Sequence, residues 1–428
     1  MSLTRSQTII VGAVGLVIIL VLLLAAGIIP GARTVKPIQV ELSFWGPKKE
    51  EAGVNSVISR YTQLNKGTTL KYVGFPEADY EDALIDALAA GTGPDMFFIQ
   101  NDWVQKHKNK ISPAPQELID PIRVTELFPQ VVGQDLSLGG KIYGLPFSID
   151  TLALVYNRSI FDSKQIPVPP VTWDGVKALI PKLRELNAGK LTKAAIALGS
   201  SEDFVVNSTD ILTSIMMQVG VQMVDASTGK VSFYSQKGLQ ALKFYADFAD
   251  PLSPNYAWDD SIGNSIDAFA QGKTAMAFLY SSQLPAVRAR NPLLMPNVGV
   301  LPLPQFNQDS SANLASFWAM AVSNRVSNYA AAWNFINFAA TDRSAASSYV
   351  SSTGNPPALR SLISDYRQNS SLKVFVSQAL IATDWPVPDD RKVRTIFDNM
   401  IESYLKDKLS ADNILKTAQE EVASIIKR

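Results

Sequence analysis

Cysteine is absent from this 428-residue chain, and histidine occurs once, as His107. The first absence removes disulfides, thiolate metal sites, a cysteine nucleophile and a lipid-modified cysteine. The second removes a histidine-rich metal cluster and leaves little room for a Ser-His-Asp triad. Excess charge is missing too: 39 basic residues stand against 39 acidic ones. A neutral balance gives no support for a nucleic-acid partner, which needs a basic surface. His107 lies in the run Lys106-His107-Lys108-Asn109-Lys110 and reads as solvated surface. No repeat of 20–50 residues is found, which argues against a solenoid or propeller.

What is present is ordinary globular composition, 46% hydrophobic and 18% charged, long enough for two cores. One segment departs from it. Ile9–Ile29 holds no charge and no strongly polar side chain. At about 1.5 Å per residue it spans roughly 30 Å, a bilayer's hydrocarbon thickness. A signal-peptide core is shorter, about 7–15 residues, and ends at a small-x-small site. Leu24-Ala25-Ala26 is a poor version of that site, so the segment is read as an uncleaved anchor over about 9–29 within an N-terminal unit 1–37. Arg5 on one side and Arg33 and Lys36 on the other set no orientation by charge.

Beyond the linker, strand and helix patterns alternate. Val40 to Trp45 alternates with period two and stops at Gly46-Pro47. Val54, Val57, Ile58, Tyr61 and Leu64 follow at helical spacing. Leu70 to Phe75 is a second strand. Asp79 is the expected cap of a helix carrying Tyr80, Leu84, Ala87 and Leu88, which Gly91 closes. Asp95 to Ile99 is a nearly continuous apolar run, as buried parallel strands are. This is the start of a doubly wound α/β lobe. Further on, Leu152–Tyr156, Ala275–Tyr280, Val298–Leu301 and Phe317–Val322 read as strands. Thr172 caps a helix; Met216–Val224, Gly238–Ala249, Ser265–Gln271 and much of the chain from Tyr329 onward read as helical.

Five stretches, in order, resemble the extracellular solute-binding proteins of the maltose-binding type: Leu42-Ser43-Phe44-Trp45; Leu88 through Asp95 with Trp103; Tyr143-Gly144-Leu145-Pro146 leading to Leu154-Val155-Tyr156-Asn157-Arg158; Phe269 through Ala277; and Ser316 through Ser323 with Ala332 through Ile336 and Gly354-Asn355-Pro356-Pro357. The resemblance covers essentially Val40–Arg428. It implies an α/β, two-lobed fold of the periplasmic-binding type (type II), here with an N-terminal transmembrane helix. Residues 38–146 and about 276–325 would form lobe I, and 147–275 and about 326–428 lobe II. Crossings are expected near Pro146–Asp150, Gly272–Met276 and Ser323–Tyr329, with closure about these hinges burying the ligand. Lipid-anchored members carry a cysteine after the signal segment. This chain has none, so the Ile9–Ile29 helix is expected to replace it.

The resemblance further implies the substrate-binding component of an ABC importer, a monomer held on the extracytoplasmic face of the membrane. Its partners would be a small sugar or oligosaccharide and the permease subunits, with no catalysis, cofactor or metal. Sugars stack on aromatic rings and pair hydroxyls with polar side chains. The matching places are Trp45 and Lys48 after the first strand, Asn101, Asp102 and Trp103 after the third, Asp150 at the hinge, Glu202 and Asp203 in a polar loop, Tyr280 and Trp318 at strand positions, and Trp258 in a loop. Trp385 sits in a similar loop, whereas Trp173 and Trp333 read as helix-packing residues. Other readings stay open. A polyamine would suit Asp102, Asp150, Glu202 and Asp203. A glycerol-phosphate ligand would need Arg288, Arg290 or Arg343 in the cleft. A glycosidase would need a carboxylate pair such as Asp102 and Asp150. A surface protein would lack an aromatic-lined cleft, and a ferric-ion binder is weakened by the single histidine.

Overall fold

The computed structural model describes residues 5–25, 39–225, 227–307, 311–369, 371–385, 387, 389–406 and 409–426. Arg5–Ala25 is a helix. Residues 26–38, which include the end of the expected membrane segment, lie outside the described residues. Among the described residues no helix is long and apolar enough to cross a membrane.

Two hydrophobic cores organise the rest. The first surrounds a sheet in the order Thr68–Phe75, Val40–Pro47, Met96–Gln100, Trp318–Ser323, Ile111–Ser112, with Leu145–Pro146 pairing beside Trp318–Ser323. The first three strands run parallel. Their connections are the helices Glu51–Leu64 and Glu77–Ala90. Met96, Phe97, Phe98 and Ile99 are all buried, which is why this strand reads as a continuous apolar run. Gly91 ends the second helix in the left-handed region at φ 77°, as the sequence suggested. The start of that helix differs: it begins at Glu77 after Pro76, and Asp79 lies in its first turn, where its charge favours the helix N-terminus.

The second core surrounds a sheet in the order Glu185–Asn187, Lys190–Ile196, Thr274–Leu279, Ala153–Asn157, Val298–Pro302. Thr172 caps the Trp173–Leu183 helix, its Oγ1 accepting from the Gly175 amide at 3.1 Å. Thr172→Ala should cost about 1 kcal/mol in chemical denaturation, the usual value of a lost N-cap. The helix expected over Met216–Val224 lies earlier, at Ser208–Gln218. Gly220, at φ 78°, follows its end.

The lobe boundaries expected from sequence need correction. Thr274–Leu279 is fully buried in the middle of the second sheet, so residues from 276 to Leu303 belong to the second lobe. The helices Tyr329–Thr341, Arg343–Thr353 and Lys373–Ala379 pack on the first core, and only from Trp385 onward does the chain return to the second. The chain therefore crosses at Ile149–Leu152, again between Leu303 and Ala315, and again at Ala382–Trp385. Only the first of these matches its expected place.

The three crossings lie side by side. Asp150–Thr151 pairs antiparallel with Ala315–Ser316, and Leu314 bridges Thr383 in parallel. The Thr383 amide donates to Asn313 O (3.0 Å), and the Ala315 amide to Thr383 O (3.2 Å). Buried Gln378 donates to Leu152 O and accepts from the Leu303 amide, fastening the first two crossings together.

Candidate functional site

In open α/β sheets the carboxyl ends of strands leave a crevice where ligands bind. Here the carboxyl ends from both lobes face one interlobe cavity of about 420 Å³. Lobe I supplies Lys49, just past Val40–Pro47; Glu77, just past Thr68–Phe75; and Gln100, Asn101 and Asp102 at the end of Met96–Gln100. Lobe II supplies Thr209 and Asp210 from the first turn of Ser208–Gln218, and Tyr280 and Ser282 just past Thr274–Leu279. The third crossing adds Asp384 and Trp385, and the Asp390–Lys406 helix adds Asp390 and Arg394. On the other flank of this crossing lies a second interlobe cavity of about 1320 Å³, sharing Asn101, Asp102, Asp384, Trp385 and Val387 with the first.

Arg394 organises the lobe II wall. Its guanidinium pairs with Asp210 (2.7 Å) and Asp390 (2.6 Å) and donates to Thr209 Oγ1 (3.1 Å). Tyr280 Oη donates to Asp210 at 2.9 Å. On the opposite wall the Asn101 amide donates to both Asp135 (2.9 Å) and Asp384 (2.6 Å), and Asp384 also accepts from the Trp385 amide (2.8 Å). Asp102 Oδ2 is sealed from solvent with no hydrogen-bond partner. Burial, reinforced by neighbouring carboxylates, holds Asp102 and Asp384 well above the usual carboxylate range. Burial also pushes Asp135 up to about 7, against the pull of the Asn101 amide.

Of the residues expected at the site, Asn101, Asp102 and Tyr280 line this cavity. The others lie elsewhere. Trp45 packs on Phe75 with ring centroids 4.8 Å apart, and Lys48 is exposed beside Gly74. Trp103 and Trp318 pack against each other and Tyr80 in lobe I. Asp150 accepts from the Thr151, Ser281 and Ser282 amides at 2.9–3.0 Å, fastening the hinge to the end of Thr274–Leu279. Glu202 accepts from the Asn207 amide and Ser208 Oγ, holding the start of Ser208–Gln218, while Asp203 is exposed. Trp258 is fully buried in the second core, as Trp173 and Trp333 are in theirs. Arg290 and Arg343 pair with Asp267 and Asp365, and neither they nor Arg288 lines either cavity. Lys49, Glu77, Asp210, Asp384, Asp390 and Arg394 were not singled out from sequence. For Lys49 and Glu77 the signal was available: both stand two residues past a strand end.

His107 corrects a further expectation. It is 5% exposed and bonds Glu81 at 3.0 Å. Glu81 also meets Lys106 (2.6 Å) and, from the other lobe, Arg391 (3.2 Å), while Lys106 meets Asp389 across the same gap (3.2 Å). Desolvation would raise the Glu81 pKa, but the hydrogen bonds and charges of His107 and Lys106 outweigh it and bring it to about 2. A carboxylate depressed on folding contributes stability above its unfolded pKa, and that contribution is lost as pH falls through the folded one. Glu81 should therefore contribute on the order of 2–3 kcal/mol above about pH 4.5, fading toward pH 2. In urea titrations over that range, Glu81→Gln should flatten the acid limb of the stability profile.

Residues 45–346 match the family described as bacterial extracellular solute-binding proteins. The chain belongs to that family. Among its relatives, a maltotriose-binding protein of Pyrococcus abyssi is 23% identical over 359 residues, covering 80% of this chain and 73% of that protein. A galactooligosaccharide-binding protein of Bacillus subtilis is 23% identical over 406 residues, covering 90% of each. Among solved structures, the sugar-binding protein MalE of Xanthomonas citri superposes with a TM-score of 0.77 at 18% identity, over 91% of this chain and 98% of that one. The two-lobed α/β binding-protein fold is thus shown, and the relatives are solute-binding proteins, not enzymes.

Proposed function

We propose that this solute-binding protein captures a sugar or oligosaccharide between its lobes and presents it to the permease subunits of an ABC importer. The observation that carries the reading is the interlobe cavity, walled by both lobes at their strand ends. Its volume of about 420 Å³ lies in the range of small-molecule sites. Its lining combines hydroxyl and amide side chains, of the kind that pair with sugar hydroxyls, with Tyr280 and Trp385, each 7% exposed and mostly packed into the second core. The names of the matched relatives, binders of maltotriose and galactooligosaccharide, support the same class.

In this reading the protein acts as a monomer on the extracytoplasmic face, held by the apolar segment Ile9–Ile29, whose residues 9–25 lie in the Arg5–Ala25 helix. Removal of residues 1–38 should then move the protein from the membrane to the soluble fraction; retention in the membrane would end the anchor proposal.

The binding reading is tested by thermal melting of the full chain in mild detergent with maltose, maltotriose, galactooligosaccharides, spermidine and a glycerol phosphodiester. A ligand at a hundredfold its Kd stabilises by about 2.7 kcal/mol. A rise with a saccharide is expected. A rise confined to spermidine or the phosphodiester overturns the carbohydrate reading.

A further inference from the structure

Among the described residues, three ion pairs join one lobe to the other, and they gather at one place. Arg391 meets Glu81 and Asp82, each at 3.2 Å, and Lys106 meets Asp389 at 3.2 Å. The pairs around them stay within a lobe, Lys49 with Glu77 and Arg394 with Asp210 and Asp390. Arg391 is the telling residue. An arginine that served only its own helix would pair three or four positions along it, as Lys406 does with Glu402. The Arg391 guanidinium, 55% exposed, instead reaches two carboxylates that both stand in the other lobe. An exposed pair alone contributes little. Here one acceptor, Glu81, is only 8% exposed and is already fixed in place by Lys106 and His107.

Their place decides what these pairs do. Glu81 and Asp82 lie on the Glu77–Ala90 helix of lobe I, and Arg391 on the Asp390–Lys406 helix of lobe II. The same two helices wall the smaller cavity from opposite lobes, through Glu77 on one and Asp390 and Arg394 on the other. Glu81 stands one turn beyond Glu77, and Arg391 stands between Asp390 and Arg394. A hinge rotation that parts the cavity walls therefore parts the pairs as well. None of Glu81, Asp82, Lys106, Asp389 and Arg391 lines the smaller cavity, so their bonds form without help from a bound molecule. We infer that Arg391, with these partners, is an interlobe latch: a positioning residue that keeps the two walls together and so sets ligand affinity without touching the ligand. This rests on the reading of the smaller cavity as the binding site. Apparent affinity scales with the fraction of molecules already in the binding arrangement. A latch that raises this fraction tightens binding and slows release.

The absence of cysteine makes the test direct. Lys71→Cys in lobe I and Lys243→Cys in lobe II, both at exposed positions, would carry the only two spin labels. Pulsed electron resonance on the full chain in mild detergent, with no ligand added, should give a single interlobe distance. Arg391→Glu, which faces Glu81 and Asp82 with a like charge, should add a longer distance, and Asp82→Arg in the same chain should remove it. Should Arg391→Glu fail to fold, Arg391→Met supplies the same comparison. With maltotriose as the probe, Arg391→Met should weaken binding about fivefold through faster release, the effect of losing two half-exposed pairs. An unchanged distance in the Arg391 variants overturns the latch. So does a change that Asp82→Arg fails to reverse, or a long distance already dominant in the unaltered protein. Weaker maltotriose binding at an unchanged distance overturns it too, because Arg391 would then act on the ligand directly. If maltotriose does not bind, the carbohydrate reading loses support while the distances still decide the latch.

Discussion

Replacing Asp150 by alanine is expected to lower the folding free energy by about 2–4 kcal/mol, because three amides, those of Thr151 and Ser281 buried and that of Ser282 partly so, lose their acceptor together. Asp150 Oδ1 accepts from the Thr151 and Ser281 amides and Oδ2 from the Ser282 amide. Asp150 itself is 9% exposed, so water reaches the orphaned donors poorly. Asp150→Asn keeps one acceptor oxygen and should recover part of the loss. Urea denaturation followed by tryptophan fluorescence would measure both. Equal stability for Asp150→Ala and the unaltered protein would mean that the hinge does not depend on this carboxylate. Because Ser281 and Ser282 follow the central strand of lobe II, the alanine variant should also loosen the first crossing against that lobe, with faster amide exchange at Thr151.

Arg394→Met is the second substitution with a large expected effect. The methionine keeps the stem but removes the charge that faces Asp210 and Asp390. Breaking a fully buried pair costs about 3–5 kcal/mol. The Arg394 side chain keeps 39% of its exposure, so water screens part of that and a loss of about 2–3 kcal/mol is expected. The effect on binding should be the larger. Without the guanidinium, Asp210 and Asp390 repel each other across the cavity wall, and Thr209 loses the donor to its Oγ1. The ligand-induced rise in melting temperature should disappear. Asp390→Asn in the same background should restore stability but not binding; restored binding would show that Arg394 only neutralises its neighbour and does not shape the site.

Much of lobe I was legible in sequence. Its parallel strands are apolar runs closed by Gly-Pro, by Pro76 or by a polar loop, and these local patterns placed Val40–Pro47, Thr68–Phe75 and Met96–Gln100 within about two residues. The assignment of segments to lobes was not legible. Thr274–Leu279 is buried on both faces, and such a strand carries no mark of which sheet receives it. His107 looked like surface because its neighbours are charged, yet the acid that holds it stands 26 positions upstream. At the site, Asn101, Asp102 and Tyr280 could be read as polar or aromatic residues at strand ends. Arg394 and Asp390 could not, because they reach the cavity from a helix beyond the third crossing. Only the Asp384-Trp385-Pro386 loop hinted at that approach.

The placement of Trp318–Ser323 also orders events during synthesis. This strand sits between Met96–Gln100 and Ile111–Ser112, inside a sheet whose other members were made some two hundred positions earlier. Until it emerges from the ribosome, the first lobe has a gap at its centre, and the helices that seal its core come later still. Contacts between parts so distant along the chain close slowly. The first core therefore closes only once the chain has been made as far as Ala382.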